Sequence, residues 1–266
     1  MRIGIDALPL LGRAGIGNHQ RSLLRALLMV APRNQYDLVL RSFNSDLVLK
    51  SFLKFPQVFF HRLPFPNRVL ELFWTKHRWP LPTTGRFFDS LDVYFATGLV
   101  VPVLKKPIVS VIYDLIPLKF EEYKNERPMF LSRIKRIIRH SSYIVTSSQS
   151  TKNDLGQIGD IASERIIPIP LAADPRFYSW EDRRKVEAVL QRYSLGDQKY
   201  ILYVGNMGPH KNVTTLVEVF CSLKNRQRIP HKLVLCGQKK WGGKVLERIQ
   251  NLKIQEDIMV LDYVPD

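Results

Sequence analysis

The sequence predicts an α/β protein with two parallel-sheet domains, the second of them incomplete. Three observations lead there. Short β-branched runs alternate with helical stripes along the 266 residues, a rhythm that fits parallel sheets with right-handed crossovers. The rhythm breaks once, between Leu171 and Gln198, and then restarts. The restarted part supplies three strands and ends at Val264-Pro265-Asp266, directly after the third.

In the first part, Arg2–Asp6 reads as a strand. Asn18–Ala31 follows with Leu23, Leu24, Leu27 and Leu28 on one helical stripe. Tyr36–Arg41, Gln57–His61, Val93–Ala96, Ile108–Tyr113, Tyr143–Thr146 and Arg165–Ile169 are further strands. Arg127–His140 is an amphipathic helix whose buried face holds Phe130, Leu131, Ile134, Ile137 and Ile138. Thr151–Leu155 opens another short helix.

Leu171–Gln198 contains Pro175, a charged run from Glu181 to Lys185 and a helical stretch ending at Gly196. It reads as the connection between domains plus the first helix of the second. The expected domains are therefore residues 1–173 and 174–266. In the second, Tyr200–Val204, Lys232–Cys236 and Ile258–Leu261 are strands, and Val213–Lys224 and Val245–Lys253 are helices. A parallel strand with one missing neighbour leaves backbone donors and acceptors unpaired.

Composition narrows the function classes. Lys and Arg number 40 against 24 Asp and Glu, a formal charge of +16. That balance favours anionic partners: nucleic acid, membrane phospholipid or phosphorylated substrates. Nucleic acid is the least supported, because no recognition-helix signature, paired RNA-stacking aromatics or zinc spacing is present. The two cysteines, Cys221 and Cys236, fall on apolar stretches and read as buried free thiols in a reducing compartment. The opening MRIGIDALPL suits a strand better than a signal peptide, and no run approaches the roughly 20 apolar residues of a membrane span. A cytoplasmic protein that meets a membrane only at its surface is the expectation.

Three segments carry chemistry. Gly12-Arg13-Ala14-Gly15-Ile16-Gly17-Asn18 lies between a strand and a helix. Gly15 and Gly17 either bring an anion close to the helix start or make a tight turn without a ligand. Ser110–Pro117 runs an apolar strand into Tyr113 and Asp114, at the strand end where open α/β sheets form their crevice. Asp114 there either borders a substrate or stabilises the turn before Pro117. Tyr203–Asn212 ends a strand in a loop shaped by Gly205, Gly208 and Pro209, with Lys211 before a helix and Asn212 near its N-cap. Backbone amides and Lys211 suit a diphosphate; a solvated lysine is the alternative.

Together these segments resemble family four of the glycosyltransferases. Gly15–Leu28, Tyr113–Pro117, Val145–Leu155, Ile167–Phe177 and Tyr203–Asn212 follow that family's motifs in order along the whole chain. The resemblance implies the GT-B fold, two Rossmann-like domains facing each other across a cleft. It implies transfer of a sugar from a UDP- or GDP-linked donor to a glycan or lipid-linked acceptor, with retention and without a metal or cofactor. It places Tyr113 and Asp114 beside the transferred sugar, as the catalytic residues, and the Gly15–Gly17 loop toward acceptor and phosphate. Gly205, Asn206 and Lys211 fall on the donor diphosphate, with Asn206 where many relatives have Arg and Tyr113 where some have His. In bacterial relatives the setting is cell-surface polysaccharide assembly. The family's Glu-x7-Glu motif has no counterpart before Asp266. The competing expectation is therefore a non-catalytic remnant, or a subunit that needs a second polypeptide to complete its donor site.

Two basic segments remain. Arg127–His140 carries Arg127, Arg133, Lys135, Arg136 and Arg139 without an acid, a face that either meets anionic lipid headgroups or is simply solvated. Phe73-Trp74 to Trp79-Pro80, with Lys76, His77 and Arg78, reads either as an interfacial loop for the acceptor or as two core tryptophans.

Overall fold

The computed structural model describes residues 1–12, 15–40, 50–63, 69, 70, 72, 74, 85–174, 177, 182–238 and 242–264. The chain divides into two compact units, Met1–Phe177 and Tyr178–Asp266, where the sequence placed the boundary after residue 173.

The first unit is a seven-stranded parallel sheet. Its strands are β1 (Arg2–Asp6), β2 (Gln35–Leu40), β3 (Val58–Arg62), β4 (Val93–Ala96), β5 (Ile108–Ile112), β6 (Tyr143–Thr146) and β7 (Ile166–Pro168). Their spatial order is β3-β2-β1-β4-β5-β6-β7, so the winding reverses between β1 and β4. The helices of this unit are α1 (Gly15–Val30), α2 (Gly85–Asp89), α3 (Ile116–Lys119), α4 (Arg127–His140) and α5 (Gln149–Gly156).

Side chains of a strand alternate between faces, and the core divides accordingly. Tyr36, Leu38 and Leu40 pack with Ile5, Leu24 and Leu28 in one cluster. Val39 faces the other way and joins Tyr94, Ile112, Ile134, Ile137 and Ile144. Tyr36 also closes α1: its hydroxyl donates to Leu27 O at 2.9 Å and Ala31 O at 3.0 Å, which satisfies carbonyls that the helix end leaves over. Asp37 is fully buried in β2, where its side chain accepts from Arg2 Nε at 2.9 Å and lies 2.5 Å from His61 Nε2. The carboxylate in turn raises the Arg2 guanidinium pKa. Trp74 is buried in the core, which settles that residue as packing. Phe73 and residues 75–80, including Lys76, His77, Arg78 and Trp79, lie outside the described residues.

The second unit begins with α6 (Arg183–Arg192) and continues as β8 (Tyr200–Val204), α7 (Val213–Gln227), β9 (Lys232–Cys236), α8 (Gly243–Asn251) and β10 (Ile258–Leu261). Its sheet is parallel in the order β10-β9-β8. One face is covered: Val217 and Phe220 of α7 and Val245 and Ile249 of α8 pack on Leu233 and Leu235. The other face of β8 is bare, with Leu202 54% and Val204 72% exposed. Helix α6 buries no residue, although Val186 and Val189 would suit a covered face. Both cysteines are free; Cys221 is buried as expected, but Cys236 is only half-buried, because Val204 is its strand neighbour on the bare face.

Candidate functional site

The first constellation forms where the winding reverses, the place at which open α/β sheets present a crevice beyond their strand ends. Thr97, just past β4, donates its hydroxyl to Asp6 O of β1 at 2.9 Å. Gln20 of α1 donates to Thr97 O at 2.8 Å and reaches the Tyr113 hydroxyl at 3.4 Å. His19 Nδ1 lies 3.0 Å from the same hydroxyl, with the two rings edge-on at 84°. Burial lowers the His19 pKa and raises that of Tyr113, with Gln20 opposing the latter, so both are neutral near pH 7. The main chain at Tyr113 is fixed as well, since its carbonyl accepts from Ser147 Oγ at 2.5 Å and Thr151 Oγ1 at 3.3 Å.

Asp114 is exposed, and its Oδ1 accepts from Ile116 N at 3.1 Å. That is the turn-stabilising role. Gly15 opens α1, and a methyl added there would meet nothing within 4 Å. Gly17 has a packing reason to be glycine: a Cβ there would lie 1.9 Å from Gly12 O. Arg21 holds the same loop, donating to Leu10 O at 2.6 Å and Gly12 O at 2.7 Å. Arg13 and Ala14 lie outside the described residues.

Sequence reasoning missed His19 and Gln20. A signal for Gln20 existed: it stands one turn before Leu24 on the buried stripe of α1, where a polar residue needs a partner. Its Oε1 is buried without a hydrogen bond. Next to this polar group lies an apolar hollow of about 500 Å³. Phe95, Val111, Val145 and Leu171 line it, with His19, Ser22, Ser147 and Asp174 as polar contributors.

The second constellation is the loop after β8. Gly205 has φ +157° and bonds through its N–H to Cys236 O at 2.9 Å. Gly237, at the end of β9, has φ +144°, and a Cβ there would sit 2.0 Å from Gly205 O. Two main chains therefore meet where Gly237 has no room for a side chain. The loop then braces itself: Tyr203 donates to Asn206 O at 2.7 Å, and Asn206 Oδ1 accepts from Gly208 N at 3.1 Å. Lys211 follows in a single 3-10 turn, Pro209–Lys211, and its side chain is exposed. It belongs to none of the ion pairs among the described residues. Asn212 is the N-cap of α7, in the left-handed region at φ 51°, but its side chain does not cap the backbone. It accepts from Thr215 Oγ1 at 2.8 Å instead. The N–H groups opening α7 thus keep their capacity to meet an acceptor.

Gly205, Asn206 and Lys211 thus share one loop; Tyr113 is tied to α1 through His19 and Gln20, whereas Asp114 engages its own turn and Gly15 and Gly17 belong to the start of α1. Among the described residues no group of three His, Cys, Asp or Glu side chains is placed to hold a metal ion. No helix of the described residues is long and apolar enough to cross a membrane.

Comparison with known proteins agrees with this layout. Residues 187–266 match the family "Glycosyl transferases group 1". The O-antigen chain mannosyltransferase B of Escherichia coli is 26% identical over 179 residues, covering 65% of this chain and 46% of the relative. The serotype-specific mannosyltransferase WbdA of the same organism is 30% identical over 174 residues, covering 62% of this chain and 20% of the relative. The chain thus spans less than half the length of these relatives. In structure, it is similar to Anabaena Alr3699/HepE in complex with UDP-glucose, with a TM-score of 0.66, 12% identity, and coverage of 99% of this chain and 69% of that one. It is also similar to WaaG, a glycosyltransferase involved in lipopolysaccharide biosynthesis, with a TM-score of 0.63, 14% identity, and coverage of 100% and 71%. With a parallel sheet in each unit and these structural neighbours, the chain has a GT-B-type fold, and its residues 187–266 match the glycosyl transferases group 1 family.

Proposed function

We propose that the protein transfers a sugar from a UDP- or GDP-linked donor to a glycan or lipid-linked acceptor, with retention of anomeric configuration, in bacterial cell-surface polysaccharide synthesis. The observation that carries the reading is the loop from Gly205 to Asn212. It presents an exposed ammonium at Lys211, in no ion pair among the described residues, directly before the start of α7. A helix start and a cation beside it suit a diphosphate. As the glycosidic bond to the donor breaks, charge accumulates on the departing diphosphate, and Lys211 is the group on this loop that neutralises it. Gly205 and the Asn206-braced turn keep the backbone close and free of side chains. No metal enters the proposed step.

Acceptor recognition falls to the first unit. The Gly15–Gly17 loop faces that acceptor, while beside the transferred sugar Tyr113, neutral and hydrogen-bonded, offers a fixed hydroxyl rather than a charge, and Asp114 contributes an exposed carboxylate. The two mannosyltransferases support mannose as the transferred sugar. Peripheral contact with an anionic membrane on the cytoplasmic side completes the reading.

The test is titration of UDP-glucose and GDP-mannose by calorimetry, on this chain and on the longest polypeptide that its coding region specifies. Lys211→Ala is expected to weaken the donor that binds by at least about tenfold, as loss of one charge-assisted contact does. Equal affinity in the variant removes Lys211 from the site. The anomeric proton signal of the first product reads the stereochemistry, and an inverted product overturns retention.

A further inference from the structure

The polar face of α4 is not uniform. Arg127 is committed to the preceding turn, reaching Phe120 O and Glu121 at 3.4 Å each. Lys135, Arg136 and Arg139 instead line a hollow of about 490 Å³, together with Ser132 and His140. The helix contains no acidic residue, and none of the ion pairs among the described residues involves these three cations.

Arg136 is the most constrained of them. Its Nε donates to Val101 O at 3.1 Å, which fixes the guanidinium beside the helix. Its Nη2 is buried without a partner. Burial, and then the neighbouring charge of Arg139, lowers its pKa. A cation in that position lacks what would offset its desolvation and the repulsion of its neighbour. The usual objection to an anion here is the helix dipole, since the hollow lies over the last turns of α4 and a helix C-terminus repels negative charge. That end is already neutralised. Arg165 donates to Ile138 O at 3.0 Å and Ser141 O at 2.5 Å, so its charge sits on the terminal carbonyls.

We infer that this hollow on α4 is a binding site for a phosphate-bearing anion, held by Lys135, Arg136 and Arg139 with the Ser132 hydroxyl as a further donor. The shared chemistry is the phosphate group, whether borne by a lipid headgroup or by a soluble phosphate compound. A guanidinium meets two phosphate oxygens at once, and a lysine one turn away adds a mobile point charge. Every residue of the site belongs to the first unit, whereas the loop after β8 belongs to the second.

The experiment compares the full chain with Lys135→Gln/Arg139→Gln, a pair of exposed positions whose loss leaves the core intact. Arg183→Gln/Arg184→Gln, on the exposed α6, removes the same charge elsewhere. Probes are inorganic pyrophosphate, read by calorimetry, and vesicles of phosphatidylglycerol against phosphatidylcholine, read by co-sedimentation. The inference expects the α4 variant to weaken binding of at least one phosphate probe by about tenfold, with the α6 control unchanged. Loss on pyrophosphate identifies a soluble phosphate ligand, and loss on phosphatidylglycerol alone identifies a lipid headgroup. Equal losses in both variants reduce the effect to net charge and overturn the site, as does failure of the wild-type chain to bind either probe. A shifted thermal melt of the α4 variant moves the comparison to Lys135→Arg/Arg139→Lys, which keeps the charge and changes the fork geometry. Restored binding there supports the site, and continued loss with a restored melt overturns it.

Discussion

His19 Nδ1 stands 3.0 Å from the hydroxyl of Tyr113, joining the second turn of α1 to the end of β5 across 94 positions of sequence. Neither ring carries charge near pH 7, so the contact is a neutral hydrogen bond whose donor is set by the histidine tautomer. Its removal is expected to be modest but coupled. Tyr113→Phe and His19→Ala should each destabilise the fold by about 1 kcal/mol, and the double variant should lose less than the sum. Urea denaturation of the four proteins in the cycle measures the coupling, and strict additivity would separate the two residues.

The same histidine gives a pH dependence of defined sign. Burial holds the folded imidazole below its ordinary value of about 6.5. As pH falls, the unfolded chain takes up this proton first. The contribution of His19 to stability is therefore complete above about pH 6.5 and is lost as pH drops from there through the lower folded value. Melting temperatures between about pH 8 and pH 5 should fall more steeply for the wild type than for His19→Gln. Parallel curves would remove His19 as the source.

The glycines of the first loop should behave oppositely. A methyl at Gly17 meets Gly12 O at 1.9 Å, so Gly17→Ala is expected to cost about 2 kcal/mol and to disturb the start of α1. Gly15→Ala meets nothing within 4 Å and should leave stability unchanged or raise it by about 0.5 kcal/mol. Thermal melts of the two variants separate a packing glycine from one retained for access. Equal destabilisation would contradict the assignment.

In the second unit, Gly237→Ala is a sharper probe of the proposed donor role of the loop after β8 than any change in the loop itself. The added methyl strikes Gly205 O at 2.0 Å from a backbone at φ +144°. The expected cost is about 3 kcal/mol, together with loss of nucleotide-sugar binding although position 237 bears no side chain to lose. Calorimetry beside a melt reads both, and undiminished donor binding would detach the β9 end from the loop.

Much of the framework was legible because strands and helices announce themselves by period. The bounds of β1, β4, β6, β8, β9 and β10 agree with the residue pattern, and so do those of α4. The sites were less legible. Gly17 reads in sequence like a ligand glycine, yet its environment is the carbonyl of Gly12, and only three-dimensional closure of the loop reveals that. Asp114 reads like a substrate carboxylate, whereas the local turn already engages one oxygen. His19 was invisible, and Gln20 showed only as a polar residue on a buried stripe, because their partner, Tyr113, lies far along the chain and is brought near by the β1–β4–β5 order. Cys236 was expected in the core because its run is apolar, but apolarity does not tell which sheet face is covered.

Strand β8 leaves Leu202 and Val204 open to water and interposes no charge between Tyr200 and Val204. Such an edge recruits identical strands from other molecules when protein is concentrated. These five uncharged residues are therefore expected to promote association in spite of the overall positive charge. A lysine at Leu202 should extend the time before turbidity appears in a concentrated sample while leaving the α7–α8 side of the sheet as it is.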